Sequence, residues 1–349
     1  MGRTRIERAA EILTELINVD SPSGEEWEFI SLLADILADM GYTPRIERGR
    51  GVANVVVNPK ADIFFDAHMD VVRPWFPARR DGLRLYGRGA SDDKGSIASA
   101  ALAMEEKDID NIGFVFTADE EEGGRGAELF VDKHRPKAVF VMEPTYARLY
   151  DGQAGDVDFT AKFHGRDAHA AHMEMMDNPI MKAIAVVNEI ASAEFLKTKE
   201  KYRIKPGMNI LKLVGDGKGY RNPEIAELSV TIRLDPSQDV KAVKKDIEKI
   251  LKRHRAEYEF DDPSQGFVVH PESRIFRLAT EAAKRAEVNI GGTIWGWTHM
   301  HVYRRAGIES ILIGPGSGDR THTMEEYVEL SNVVKVADFI KSVDELTQA

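Results

Sequence analysis

Apolar residues at positions 6, 9, 10, 13, 16 and 17 recur three and four apart, so the chain opens with an amphipathic helix that ends before Ser21-Pro22-Ser23-Gly24. Ser23 followed by Glu26 reads as a capping box for a second helix, which runs to about Met40 and stops at Gly41. Apolar runs at 52–57, 63–67 and 113–118 then alternate with helical spacing at 96–107 and 127–133. Strand–helix alternation of this kind predicts a mixed, largely parallel sheet between helices. From about Gly155 to Gln265 the pattern changes to strand (157–163), helix (179–195), two strands (209–214 and 226–234), helix (240–254) and strand (256–260). That order, βαββαβ, is the ferredoxin-like α+β unit. A helix at 274–286, a strand at 310–314 and a helix at 331–346 resume the first pattern. The expectation is an α/β domain formed by residues 1–154 and 266–349, with residues 155–265 inserted as a second domain.

Composition narrows the function classes. The 349 residues are 43% hydrophobic, enough for a packed core, and carry 47 Lys+Arg against 58 Asp+Glu, a formal charge of −11. Residues 155–265 hold 19 basic and 19 acidic side chains, so the remainder, 28 against 39, carries the whole excess. An acidic chain disfavours nucleic acid as a partner. No apolar run approaches the length of a membrane span, and the first twenty residues lack a secretory pattern, so no membrane partner and a cytoplasmic address are expected. With no cysteine in the chain, any bound metal has to be held by His, Asp and Glu.

Three apolar stretches end in such residues. Ile63-Phe64-Phe65-Asp66-Ala67-His68-Met69-Asp70 ends in a His and an Asp two apart, which period-two alternation puts on one face at the carboxyl end of a strand. His68 fits a metal ligand and Asp70 the carboxylate that orients its ring; a surface His beside a loop Asp fits the same string. Thr117-Ala118-Asp119-Glu120-Glu121-Glu122 ends a second strand, where neighbouring Glu residues face different ways, one toward a metal and one toward an attacking water. A third strand, 138–142, runs into Glu143-Pro144. Between the first two lies Gly87-Arg88-Gly89-Ala90-Ser91-Asp92-Asp93-Lys94-Gly95, whose spacing is not that of a phosphate-binding loop.

Taken together with Ser21-Pro22-Ser23-Gly24-Glu25-Glu26, Glu143-Pro144-Thr145 and His322-Thr323-Met324-Glu325-Glu326-Tyr327-Val328, these strings resemble the two-zinc metallopeptidase family of aminoacylase, carboxypeptidase G, acetylornithine deacetylase and succinyl-diaminopimelate desuccinylase. The resemblance spans nearly the whole chain in order. It implies two Zn²⁺ ions, with Co²⁺ or Mn²⁺ as substitutes: Asp92 bridges both, His68 and Glu143 complete one site, and Glu121 and His322 complete the other. It makes Glu120 the general base and acid, with Asp70 supporting His68. Two Zn²⁺, three carboxylates and a hydroxide sum to near neutrality, whereas three bare carboxylates would repel and raise one another's pKa. The resemblance also implies a cis peptide bond between Asp92 and Asp93.

In the inserted domain, which the resemblance makes a lid and dimerisation domain, Gly165-Arg166-Asp167-Ala168-His169-Ala170 resembles the motif whose His reaches a neighbouring subunit's site. Arg233 resembles the Arg that holds a substrate carboxylate, a task suited to a bidentate guanidinium. Gly316 and Ser317, in Gly314-Pro315-Gly316-Ser317-Gly318, resemble a Gly-rich turn beside the substrate. The implied activity is an amide hydrolase that frees lysine or ornithine from an N-acyl or aminoacyl conjugate, as in the short acetyl-lysine and acetyl-ornithine deacetylase branch. The alternatives are a carboxypeptidase or dipeptidase and, more remotely, a non-catalytic binding protein on the same scaffold. A homodimer is implied. The basic run 197–205 fits either contact with a small acidic amino-group carrier protein or a solvated helix end. Where many members carry a Thr/Ser-Asp pair, this chain reads Trp295-Gly296-Trp297-Thr298-His299-Met300-His301, which fits an aromatic substrate wall and core packing equally. Glu122 has no assigned role.

Overall fold

A computed structural model describes residues 4–172 and 177–348. They form two compact units: residues 4–151, 269–292 and 298–348, and residues 152–172, 177–268 and 293–297.

The first unit is built on a six-stranded sheet in the spatial order 45–49, 52–57, 113–117, 63–68, 138–141, 309–312. The last four strands are mutually parallel and the first two pair antiparallel, so the sheet is mixed and largely parallel as the hydrophobic pattern predicts. The 63–68 strand is buried at every position, which is the reason its apolar run does not alternate. Phe65 stacks on Phe140 at 4.7 Å between ring centroids and meets Phe114 and Phe339, so adjacent strands and the last helix interlock through one aromatic cluster. Helices Arg5–Ile17, Lys94–Glu106, Arg274–Arg285 and Leu330–Gln348 pack together in the same unit.

Ser23 does not cap a helix. The second helix is Trp27–Asp39, its N-cap is Glu26 without a side-chain cap bond, and the Ser23 hydroxyl is used elsewhere. Strand Arg45–Gly49 has no apolar run to announce it; it forms because Arg50 and Gly51, both at positive φ, turn the chain back onto 52–57 in a two-residue hairpin.

In the second unit strands 155–164, 207–215, 225–234 and 257–260 form an antiparallel sheet in the order 207–215, 225–234, 155–164, 257–260. Helices Pro179–Ala191 and Val240–Arg253 bury Val186, Ile190, Val243 and Ile247 with Phe159, Phe163 and Val230 of that sheet. This is the ferredoxin-like arrangement that the βαββαβ order predicts. Thr293–Ile294 joins this unit because it pairs in parallel with Gly152–Gln153, beside Phe267–Val268. No helix among the described residues is long and apolar enough to cross a membrane.

Because Phe65 is almost fully buried among three other rings, Phe65→Ala is expected to cost about 3–5 kcal/mol of unfolding free energy. Urea denaturation followed by far-ultraviolet circular dichroism checks this; a loss below about 1 kcal/mol would show that the site refills.

Candidate metal centre

Strands 63–68, 113–117 and 138–141 run the same way side by side, so His68, Glu120, Glu121 and Glu143 all follow carboxyl ends at one edge of the sheet. Ligand sites in open α/β sheets form at that edge. His68 Nε2 lies 2.9 Å from Asp92 Oδ1, and His322 Nε2 lies 3.4 Å from Asp92 Oδ2 and 3.0 Å from Glu121 Oε2. The two oxygens of Asp92 therefore face two different imidazoles. Ligand atoms of His68, Asp92 and Glu121 all fall within 4.8 Å of one another, a spacing that could hold a metal ion. The Asp92–Asp93 peptide is cis.

The charges around this point are unbalanced. Burial pushes the Glu120 carboxyl up to about 8, with Glu121 and Asp92 adding to the rise against the opposing charges of His68 and His299. Burial and the charges of Glu120 and Asp92 likewise hold Glu143 well above the ordinary range, and burial with Asp92 raises Glu121. Hydrogen bonds to Asp92 and Glu121 push His322 up to about 10. His68 is raised as well, since its bonds to Asp70 and Asp92 outweigh burial. Burial also works against ionised Asp92, but the bonds from His322 and His68 prevail and its pKa falls. Carboxyls and imidazoles whose proton affinities are raised together mark a cluster short of positive charge. Imidazole nitrogen and carboxylate oxygen without thiolate are donors for zinc, cobalt or manganese, so the residues present fit a bound divalent cation.

Asp70 does more than orient His68. Its carboxylate accepts the amide N–H groups of Glu120 at 3.0 Å and Glu121 at 3.1 Å and the Ser23 hydroxyl at 2.7 Å. His68 Nδ1 lies 2.9 Å from the Asp70 carbonyl and 3.6 Å from its carboxylate. Burial opposes ionisation of Asp70, yet the nearby His68 imidazole and the bond from the Ser23 hydroxyl bring its pKa down to about 2. One buried anion thus joins the loop after strand 63–68, the loop after 113–117 and the segment before the second helix. Asp119, at φ +65°, makes the turn that follows strand 113–117, and its carboxylate pairs with Arg125 at 2.6 Å.

Gly316 and Ser317 pack against the Asp92 loop. The Ser317 amide donates to Ser91 Oγ at 2.6 Å, Ser91 Oγ donates to the Ser317 carbonyl at 3.2 Å, and a Cβ added at Gly316 would collide with the Ser91 carbonyl. The small residues of the turn permit this loop-to-loop approach. Composition and spacing did not single out Arg88 or Glu326, a buried pair at 2.5 Å in which Glu326 also accepts the Ser91 and Asp92 amides. The only signal for them was their place inside the same strings as Asp92 and His322.

His299 is buried with its Nδ1 2.9 Å from Asp66 Oδ2; Asp66 also accepts the Tyr303 hydroxyl at 2.7 Å and the Thr117 hydroxyl at 2.8 Å. On that side the 295–301 segment is a polar core network, whereas Trp295, half exposed, belongs to the second unit. The second unit also carries His169 and Arg233. His169 is exposed, its Nδ1 accepting the Ala171 amide, and Arg233 donates to Asp158 at 2.9 Å from the neighbouring strand.

Comparison with known proteins agrees with the motifs. Fold and site define a hydrolase that acts on amide bonds and depends on metal. The chain belongs to peptidase family M20/M25/M40, whose model matches residues 64–343. It is 24% identical over 366 residues to a succinyl-diaminopimelate desuccinylase of Rickettsia bellii, covering 93% of each chain. It superposes on a tripeptidase of Staphylococcus aureus with a TM-score of 0.82 at 18% identity, covering 99% of both chains. A dinuclear metal-binding peptidase of the M20 family from Bacillus subtilis gives 0.67 at 16% identity, again over 99% of each.

The pKa values of His68 and His322 are both raised, and a proton on an imidazole nitrogen excludes a metal ion from it. Zinc binding near pH 7 is therefore expected to release protons and to tighten as pH rises. Calorimetry in buffers of different ionisation enthalpy reads this directly; binding with no proton release would contradict it.

Proposed function

We propose that the protein is a two-zinc amide hydrolase that frees an amino acid, lysine or ornithine in preference, from an N-acyl or aminoacyl conjugate. The observation that carries the reading is the meeting of His68, Asp92, Glu121 and His322 side chains beside a half-buried Glu120. Asp92, which faces both imidazoles, would be shared between the two cations, with His68 and Glu143 holding one and Glu121 and His322 the other. When bound, the two cations balance the carboxylates and polarise both the scissile carbonyl and the attacking water.

The remaining work falls to side chains. Glu120 takes the proton from the attacking water and passes it to the leaving nitrogen, so that the C–N bond breaks as an amine departs. Burial raises its proton affinity above that of an ordinary carboxyl, the direction that suits a group which both takes up and returns a proton. Asp70 keeps the Glu120 and Glu121 amides in place while it supports His68. In this reading Arg233 binds the substrate carboxylate and His169 serves the site of a partner subunit.

A homodimer is part of the proposal. Strand 207–215 lies at the edge of its sheet and exposes Ile210, Leu211 and Val214, an apolar edge of the kind that a second strand covers. The basic run 197–205 on the same unit suits an acidic carrier protein as donor of the conjugate. A cytoplasmic address accompanies this reading on the compositional grounds above.

The zinc-loaded protein and Glu120→Gln are to be assayed on acetyl-lysine, acetyl-ornithine, succinyl-diaminopimelate and a panel of di- and tripeptides, with metal content measured in both. We expect turnover of the acetylated amino acids, two ions per chain in each protein, and a kcat about 10²–10⁴-fold lower for the variant. Cleavage of peptides alone would end the deacylase reading in favour of a peptidase, and near-normal turnover by Glu120→Gln would remove Glu120 from proton transfer.

A further inference from the structure

Glu326 lies four residues beyond His322 and is buried, as is Arg88, each side chain only 1% exposed. One carboxylate oxygen of Glu326 accepts the backbone N–H groups of Ser91 at 3.0 Å and Asp92 at 3.2 Å. The other accepts Arg88 Nη1 at 2.5 Å, and Arg88 Nε donates in turn to the Pro74 carbonyl at 3.2 Å. The Gly87 amide donates to the Glu326 carbonyl, so backbone and side chain both tie the 322–326 segment to the 87–92 loop. On its other side that loop is held by Ser317 through the Ser91 hydroxyl.

A buried ion pair is a costly way to fill space, since apolar residues of the same volume generally pack as well. What an apolar residue at 326 cannot do is accept two amides at once. A carboxylate that bridges two ions has to present both oxygens at set angles, and those angles follow from where its backbone is held. We propose that Glu326, anchored by Arg88, is a positioning residue for the metal pair: it fixes the backbone of Asp92 and couples the His322 segment to it. This inference rests on the reading of Asp92 and His322 as metal ligands. Glu326 touches no reacting atom, and its effect is read first in metal affinity.

The test compares two uncharged replacements of the pair. Arg88→Met with Glu326→Gln retains an acceptor for the two amides, whereas Arg88→Met with Glu326→Leu removes it. Each is titrated with Co²⁺, followed through its visible absorption, below the melting temperature read by circular dichroism. The Gln pair should bind Co²⁺ as the unaltered protein does. The Leu pair should bind it about 10–100-fold more weakly, with an altered spectrum. Equal affinities in the two folded variants would overturn the proposal.

Hydrogen exchange at the Ser91 and Asp92 amides of the unaltered protein tests it without any variant: protection is expected, and exchange at the rate of a free chain would overturn it. Failure of the unaltered protein to take up Co²⁺ at all would instead sink the metal-centre reading, while amide protection would still report on the clamp.

Discussion

Four carboxyl groups, those of Asp92, Glu120, Glu121 and Glu143, are crowded where the chain's own positive charge is too little to balance them. The pKa values of His68 and His322 are raised by these carboxylates, and burial together with the neighbouring negative charge raises those of Glu120, Glu121 and Glu143. Such a cluster is unfavourable in isolation, and it is tolerable at the edge of a sheet because divalent cations offset it once bound. The architecture around it can be understood as what is required to hold like charges together while the ions are absent.

The support is layered. Parallel strands 63–68, 113–117 and 138–141 bring three loops to one edge, and the aromatic cluster around Phe65 keeps the strands in register. Above that, two buried anions tie loop to loop. Asp70 collects the Glu120 and Glu121 amides with the Ser23 hydroxyl, and Glu326 collects the Ser91 and Asp92 amides with Arg88. A third buried network, Asp66 with His299, Tyr303 and Thr117, lies against the same strand ends. Asp92 and Glu121 are thus held through their backbone amides as well as through their side chains, which preorganises both carboxylates.

Much of this was legible in the residues. Apolar runs and helical spacing locate the main strands and helices, and the change of pattern at 155 marks the ferredoxin-like unit, because periodicity reports burial directly. The strand-end strings mark His68, Glu120, Glu121 and Glu143, because the carboxyl ends of neighbouring parallel strands converge at one edge; Asp92, in a loop between them, is marked only by the family resemblance. Interactions between distant segments left none. Ser23 reads as a helix cap because its neighbours fit that motif, and only the folded chain reveals that Asp70 competes for its hydroxyl. Arg45–Gly49 is polar and exposed, so nothing but its hairpin partner makes it a strand. His299 sits in a string that fits a substrate wall and core packing equally, and what decides its place, Asp66, is 233 residues away in sequence.

The central claim is that the fold gathers these groups around a pair of cations bridged by Asp92. Anomalous diffraction from zinc-soaked crystals tests it most directly. Two peaks about 3.5–4 Å apart, both in contact with Asp92, one also touching His68 and Glu143 and the other Glu121 and His322, are predicted. A single peak, or ions bound away from these residues, would contradict the account.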